Sequence, residues 1–230
     1  MIANAQTFWL ENLKLANRYN GWIFSQIVPY LGHEVLEVGC GNGNFTLLLA
    51  EQCSRVVAVD LSEEYVRAAK ARLTGKIGVE VLLADATQTQ WTRQFDTVVM
   101  LDVLEHIEYD VETLRLLRKC LKPGGKLIVK VPALDCLFSN MDQAIGHYRR
   151  YNKTALIKTF RAASFSSPLV WYFNFVGIPG WWLNGKILGR TTPPAEQVGL
   201  FNKIVPLLSA LEGSVKPPIG LSLFAVATKN

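Results

Sequence analysis

The glycine-rich stretch at residues 35–46, VLEVGCGNGNFT, constrains the fold of this chain more than any other segment. Its apolar start is typical of a buried strand, and Gly39, Gly41 and Gly43 then alternate with other residues. Glycine lets the backbone turn tightly and approach a ligand without a Cβ clash. A dinucleotide fingerprint, GxGxxG, would need glycine three residues after Gly41, where Asn44 stands. The stretch therefore predicts a ligand-binding turn between a strand and a helix, and it disfavours a nicotinamide cofactor.

Short apolar runs alternate with amphipathic stretches through the first half of the chain. This rhythm is typical of a parallel sheet that is covered by helices on both faces. Strands are predicted at 35–40, 55–61, 79–84, 95–101 and 126–131, and further strands at 168–173 and 221–228. Helices are predicted at about 44–52, 62–73 with Ser62 as its cap, 107–121, and 152–163 with Asn152 as its cap.

The chain is predicted to be one α/β domain over residues 1–230 with three additions. These are an N-terminal helical cap at 1–30, a substrate-side loop at 134–151 after the fifth strand, and a helical insertion at 174–219. Two short helices are expected in the insertion, at 180–188 and at 200–212, with Pro206 interrupting the second.

Composition excludes several classes of protein. Half of the residues are hydrophobic and 19% are charged, so a chain of 230 residues can bury a sizeable core and is not intrinsically disordered. The four cysteines form no CxxC pair, which excludes zinc-ribbon and thioredoxin motifs and predicts reduced thiols. We expect no secretion leader and no uninterrupted apolar run of membrane-spanning length, and hence a cytoplasmic location.

Several motifs together resemble the class I S-adenosylmethionine-dependent methyltransferases, over roughly residues 30–133. Glu37-x-Gly39-x-Gly41-x-Gly43 is similar to the family's first motif, whose loop wraps the methionine part of the cofactor. Asp60 matches the acid that holds both ribose hydroxyls, and a carboxylate is a pure acceptor suited to two O–H donors. Asp85 matches the acid that accepts from the adenine amino group. The resemblance implies cofactor contacts from Glu37, Gly39, Cys40, Gly41, Gly43, Asp60, Leu61, Asp85, Ala86 and Leu101.

The resemblance also implies a Rossmann-like fold. Its sheet has seven strands in the order 3-2-1-4-5-7-6, with strand 7 antiparallel and, in this chain, the insertion between strands 6 and 7. The family needs no metal, and no metal-ligand motif is visible in the sequence, so we expect none.

The residues after the fourth strand bear on the methyl acceptor. DNA amino-methyltransferases carry [DNS]-P-P-[YF] there, and cytosine-C5 enzymes carry Pro-Cys, whereas this chain reads LDVL. LDVLEHI is similar to small-molecule enzymes, including those of quinone biosynthesis. A small-molecule acceptor is therefore favoured and a nucleic acid disfavoured. Residues 146–230 carry 10 basic and 2 acidic side chains, however, which leaves an RNA or protein methyltransferase as an alternative. A non-catalytic S-adenosylmethionine-binding regulatory module is a second alternative.

The segment at residues 141–151, MDQAIGHYRRY, resembles a bacterial subgroup with D-x-x-x-G-H-x-R-R-Y at this place. Histidine titrates near neutrality, and guanidinium groups bind carboxylate or phosphate in a bidentate manner. We expect His147 to act as a base or an orienting donor, Arg149 or Arg150 to hold an anionic group of the acceptor, and Tyr148 to add a ring face. The alternative is that His147 and the arginines only fix the loop.

Four further positions are weaker candidates. Tyr19 precedes the first strand and is expected to form a wall of the acceptor pocket, and Asp102 directly follows the fourth strand. Glu105 and His106 lie within possible reach of the methyl group, but a polar start to a helix is the simpler interpretation of both.

Six aromatic residues lie between Trp171 and Trp182, and basic residues follow them. Trp and Tyr favour membrane interfaces, and cations are attracted to anionic lipid. The pattern raises the hypothesis of a peripheral membrane contact through 171–190 and of a lipid-like acceptor. A second small core or a homodimer contact would explain the same aromatics.

Overall fold

A computed structural model of the chain describes residues 5, 7, 8, 11, 12, 16–91, 94–214 and 216–230. The first fifteen residues, on which the expectation about a leader depends, lie mostly outside this set, as does that part of the predicted cap at 1–30. The described residues form a sheet of seven strands: β1 (Glu34–Val38), β2 (Arg55–Asp60), β3 (Val79–Leu83), β4 (Phe95–Leu101), β5 (Leu121–Pro132), β6 (Leu169–Phe173) and β7 (Ser222–Thr228).

The strand order is β3-β2-β1-β4-β5-β7-β6, and β7 is antiparallel to both of its neighbours. This confirms the predicted Rossmann-like topology. The pairs β1–β2, β1–β4, β2–β3 and β4–β5 are parallel. Their carboxyl ends therefore meet at one edge, which is where open α/β sheets bind ligands.

The helices are α1 (Asn17–Ile27), α2 (Asn44–Gln52), α3 (Glu63–Arg72), α4 (Asp110–Lys119), α5 (Asn140–Ala144), α6 (Lys153–Ala162), α7 (Gly177–Trp181) and α8 (Ala195–Ser214). Both predicted caps are in place. The Ser62 hydroxyl accepts from the Tyr65 amide at 3.3 Å, and the Asn152 side chain accepts from the Ala155 amide at 2.8 Å.

Alternate residues of the central strands pack into different cores. Leu36, Val98 and Leu127 belong to the core beneath α4 and α6. Their neighbours Val35, Val99 and Ile128 belong to the core beneath α1 and α8, which also holds Trp22, Phe173 and Phe224. Because both faces of the sheet are covered, these strands are apolar throughout rather than alternating.

Three predicted boundaries were wrong. The helix expected from residue 107 begins at Asp110, because Leu104–His106 form a 3₁₀ turn and Ile107 is extended. The strand expected from 126 begins at Leu121, with an irregularity in its pairing with β4. Pro206 does not interrupt α8, which runs from Ala195 to Ser214; the burial of Val205 and Leu208 beside it offsets the backbone cost of the proline.

Candidate active site

The glycine-rich loop follows β1 and turns back over the end of β2. Gly39, Gly41 and Gly43 have φ angles of 74°, 53° and 79°. A Cβ on Gly39 would lie 2.4 Å from Val103 Cγ2, so this position needs glycine for space as well as for conformation. The Gly39 and Cys40 amides both donate to the Val59 carbonyl, at 2.8 and 3.0 Å. This anchoring places the Gly41 amide beside Asp60.

The Asp60 carboxylate is oriented by the backbone. One oxygen accepts from the Gly41 amide at 2.8 Å, and the other accepts from the Ser62 amide at 2.9 Å. A carboxylate has about four acceptor sites, so about two remain for a ligand. Leu61, the next residue, is an exposed apolar side chain at the same edge.

Asp85 follows β3 and closes a tight turn. Its Oδ1 accepts from the Thr87 amide and hydroxyl at 2.8 and 2.7 Å, and its Oδ2 accepts from the Gln88 side chain at 3.0 Å. The Ala86 carbonyl accepts from the Trp91 indole at 3.0 Å. These bonds hold the turn at the carboxyl edge of the sheet, the edge at which Asp60 also lies.

Glu37 lies beneath the loop and is buried. The Thr46 hydroxyl donates to Glu37 Oε2 at 2.5 Å. Burial raises the pKa of Glu37 to about 8, although the Thr46 hydrogen bond acts in the opposite direction. The Glu37 carboxyl is therefore largely protonated at neutral pH, and it supports the loop from below.

A lysine that the sequence analysis missed lies at the carboxyl end of β5. Lys130 is buried, and its Nζ is 2.5 Å from both carboxylate oxygens of Asp102. Burial alone would lower the pKa of Lys130, but Asp102 more than offsets it, so the pKa is raised. The sequence signal was a charge inside the apolar strand KLIVKV.

Tyr19 of α1 lies next to this ion pair. Burial raises the pKa of Tyr19, which keeps the phenol neutral. The Asn174 side chain donates to the Tyr19 hydroxyl at 3.3 Å. The rings of Phe173 and Phe201 lie 6.3 and 5.5 Å from the Tyr19 ring, so one side of this region is aromatic.

His147 is held by a buried carboxylate. Its Nδ1 lies 3.0 Å from Asp142 Oδ1, and Arg150 Nε donates to the same oxygen at 2.8 Å. Burial raises the pKa of Asp142, but the His147 hydrogen bond and the Arg150 charge outweigh it, and the pKa is lowered. Since Asp142 is ionised, we assign the imidazole proton to Nδ1, which leaves Nε2 as an acceptor.

Glu105 faces the Nε2 atom of His147. The two are 3.7 Å apart, Glu105 is fully buried, and its carboxyl oxygens have no hydrogen-bond partner among the described residues. Burial and the Asp102 charge raise the pKa of Glu105, so its carboxyl is neutral. The His106 ring lies 4.6 Å from the His147 ring, and burial lowers the pKa of His106 to about 4.

Glu105, His106 and His147 also place one ligand atom each within 4.8 Å of the others, an arrangement that could hold a cation. No such cluster was expected from the sequence, because His147 is distant in the chain from Glu105 and His106.

Both arginines of the RRY segment have protein partners. Arg149 pairs with Asp110 at 3.2 Å and donates to the Glu108 carbonyl at 2.7 Å. Arg150 is buried, and besides Asp142 it contacts the Ala133 carbonyl at 2.9 Å and the Trp181 ring at 4.5 Å. Holding an anionic acceptor would require these pairs to break. The geometry supports the alternative in which the arginines fix the loop, while Tyr148 is exposed.

The aromatic run from Trp171 divides between core and surface. Trp171 and Phe173 of β6 are buried, whereas Phe175 and Trp182 are exposed. The membrane hypothesis for 171–190 therefore applies to the residues after β6.

Comparison with known proteins finds similarity over part of the chain. Residues 36–129 match the sequence model of a methyltransferase domain. The chain is 33% identical over 110 residues to a ubiquinone biosynthesis O-methyltransferase of Idiomarina loihiensis. The match covers 46% of this chain and 45% of that protein. The chain thus spans less than half the length of this curated relative.

Solved structures share the fold over most of the chain. A methyltransferase in complex with the Trm112 methyltransferase activator of Haloferax volcanii has a TM-score of 0.68 and 17% identity, and the match covers 100% of this chain and 97% of that one. The N-methyltransferase NodS of Bradyrhizobium japonicum, in complex with S-adenosylhomocysteine, has a TM-score of 0.56 and 16% identity. The match covers 92% of this chain and 85% of that one.

Proposed function

We propose that this protein, in which residues 36–129 form a class I S-adenosylmethionine-dependent methyltransferase domain, transfers a methyl group to a small or lipid-like acceptor. The single observation that carries the proposal is the Asp60 carboxylate, which two backbone amides orient at the carboxyl edge of the sheet beside the glycine loop. A vicinal diol needs such an acceptor, and the adenosine part of S-adenosylmethionine carries one.

The chain's residues fit this cofactor. Asp60 would hold the ribose hydroxyls, Leu61 would cover one face of the adenine, and Asp85 with the Ala86 amide would contact its edge. Gly39, Gly41 and Gly43, all at positive φ, shape the loop that would wrap the methionine part, with Cys40 and Leu101 bordering it. When bound, S-adenosylmethionine supplies an electrophilic methyl group on its sulfonium.

Methyl transfer is an in-line displacement, so the protein acts mainly by holding the acceptor in line. Such orientation can contribute about 7–11 kcal/mol. We assign the acceptor to the region bordered by Tyr19, Asp102 and His147. The Lys130–Asp102 pair fixes the floor of this region, because both Asp102 oxygens bond to the buried ammonium.

His147 is the proposed base. Its Nε2 would accept a proton from an acceptor hydroxyl, while Asp142 holds Nδ1–H and stabilises the imidazolium that forms. Arg150 is then a positioning residue that keeps Asp142 ionised. A hydroxyl acceptor agrees with the O-methyltransferases to which residues of this chain are similar, and general base catalysis typically contributes about 10²–10⁴-fold.

The experiment is transfer of a deuterated methyl group from S-adenosylmethionine to cell extract that is split into aqueous and organic phases. We expect label in a small molecule of the organic phase, found by mass spectrometry, and no label with Asp60→Ala. Label in an aqueous metabolite would remove the lipid-like acceptor but keep the methyltransferase. Label only in RNA or protein would favour an RNA or protein methyltransferase. No label in any fraction would favour a non-catalytic S-adenosylmethionine-binding regulatory module.

A further inference from the structure

We propose that the insertion between β6 and β7 docks on an anionic lipid bilayer. The surface that would do so, here the apolar face, comprises Phe175, Trp182, Leu183, Ile187 and Leu188 together with Leu200, Ile204, Leu207 and Leu211 of α8. All of these side chains are exposed. Nine exposed apolar side chains on one insertion, rather than scattered single ones, are typical of an interaction site.

Helix α8 is apolar on two sides. Val205 and Leu208 pack into the core beneath it, whereas Leu200, Leu207 and Leu211 are 62%, 65% and 62% exposed. Together with Ile204 the exposed residues are spaced by four, three and four positions, which places them on one side of the helix. An amphipathic surface helix has one apolar side, which faces the core, so the second apolar side of α8 is free to meet another apolar environment.

The segment before α8 extends this face. The Asn174 and Phe175 amides donate to the Glu212 carboxylate at 2.9 and 2.7 Å, near the end of α8. Asn184 donates to the Gln197 side chain at 2.8 Å, near the start of α8. These bonds tie residues 174, 175 and 184 to the two ends of α8, and Trp182, Leu183, Ile187 and Leu188 of the same insertion add their exposed side chains.

The charges around the apolar face favour anionic lipid. Lys186, Arg190 and Lys203 are exposed on the insertion, and Arg18 of α1 contacts the Lys203 carbonyl at 3.3 Å. Of the two acids in residues 174–214, Glu212 is occupied by backbone amides, which leaves Glu196. Basic side chains with Trp and Leu are typical of helices that lie in a membrane interface.

A second copy of the chain is a weaker occupant. A two-fold contact through this face would bring the same patch of each copy together, including its cations. Like charges facing each other across an interface are unfavourable.

The apolar face is close to the proposed acceptor region. The Tyr19 amide donates to the Asn202 side chain of α8 at 3.0 Å, and Tyr19 borders the Lys130–Asp102 pair. Docking would therefore bring this region to the bilayer surface, where a lipid-like acceptor resides. Only this consequence rests on the proposed function; the docking itself does not.

The test is co-sedimentation of the full chain with vesicles of phosphatidylglycerol and phosphatidylcholine, compared with phosphatidylcholine alone. We expect binding to the anionic vesicles that weakens with salt, and a partition coefficient at least about tenfold lower for Leu207→Gln/Leu211→Gln. The matched control is Ile77→Gln, because Ile77 is 98% exposed outside the apolar face and should leave binding unchanged. Circular dichroism and S-adenosylmethionine titration check that each variant is folded.

Failure of the wild type to bind either vesicle would overturn the proposal, as would equal binding by Leu207→Gln/Leu211→Gln. A wild-type dimer that becomes monomeric in this variant, without vesicle binding, would assign the face to a second copy and also overturn it. The labelled-methyl experiment is scored on methyl transfer, so failure of docking and failure of the proposed activity are distinguishable.

Discussion

The cofactor side and the acceptor side of the proposed site are built differently. On the cofactor side, backbone amides orient Asp60 and Asp85: each accepts from the amide two residues further on, and Asp60 also accepts from Gly41 of the glycine loop. On the acceptor side, the contacts join side chains that are far apart in the chain, as in Lys130 with Asp102 and Tyr19 with Asn174.

This difference suggests that the two sides can be changed separately. The cofactor side should fail most when the loop geometry is disturbed, because the backbone orients its side chains. The acceptor side should fail when one partner of a buried pair is removed, because the other partner is left uncompensated. The substitutions below test this separation, and those with the greatest predicted loss come first.

Gly39→Ala is expected to weaken S-adenosylmethionine binding more than about 100-fold. The added Cβ would lie 2.4 Å from Val103, and the φ of 74° disfavours any side chain. The control is Gly75→Ala, which has a φ of 80° but no atom within 4 Å of its added Cβ. Calorimetric titration measures both affinities, and equal losses in the two variants would mean that backbone strain alone, rather than the loop, causes the effect.

Asp102→Asn is expected to lower the free energy of unfolding by about 2 kcal/mol. Lys130 would keep its buried charge without a partner, and the partial exposure of Asp102 reduces the cost below that of a fully buried pair. Asp102→Asn/Lys130→Met should recover at least half of this loss in urea unfolding. No recovery in the double variant would show that the pair does not couple and that Asp102 acts alone.

Asp60→Asn is expected to weaken S-adenosylmethionine binding about tenfold. The amide keeps the size of the carboxylate but replaces one acceptor oxygen with a donor group, while the loop stays in place. Calorimetric titration measures the affinity for S-adenosylmethionine. Asp110→Asn, at the start of α4, is the acid-to-amide control. An unchanged affinity would remove Asp60 from the cofactor contacts.

Glu37→Gln is expected to change how stability depends on pH. The pKa of Glu37 is raised from 4.5 to about 8, so the folded state keeps a proton that the unfolded state releases in this range. Stability contributed by the protonated form is therefore lost as pH rises toward 8. Between pH 6 and pH 7 the wild type should lose about 1 kcal/mol more than the variant in urea unfolding. If the free energies of unfolding of wild type and Glu37→Gln changed with pH in parallel, Glu37 would be ionised in the folded protein.

Local patterns accounted for the strands, the helices and the cofactor loop. The Ser62 and Asn152 caps and the glycine loop depend on residues within one or two turns of each other, and all were predicted. The strand order depends on pairing between distant segments, and it was expected from the family resemblance rather than from local patterns. Side-chain contacts between distant residues were not predicted. Lys130 on β5 pairs with Asp102, which directly follows the neighbouring strand β4. His147 lies near Glu105 only because the loop beyond β5 folds back. The continuity of α8 through Pro206 depends on the packing of Val205 and Leu208, which no local pattern shows.

We propose that His147 serves methyl transfer and not cofactor binding. To test this, wild type and His147→Ala are compared for S-adenosylmethionine affinity and for transfer of the labelled methyl group to the acceptor fraction. We expect His147→Ala to keep its affinity within about twofold and to lose at least about 100-fold in turnover. The control is His33→Ala, which replaces an exposed histidine before β1. Unchanged turnover in His147→Ala, or an affinity loss as large as the turnover loss, would disprove this role of His147.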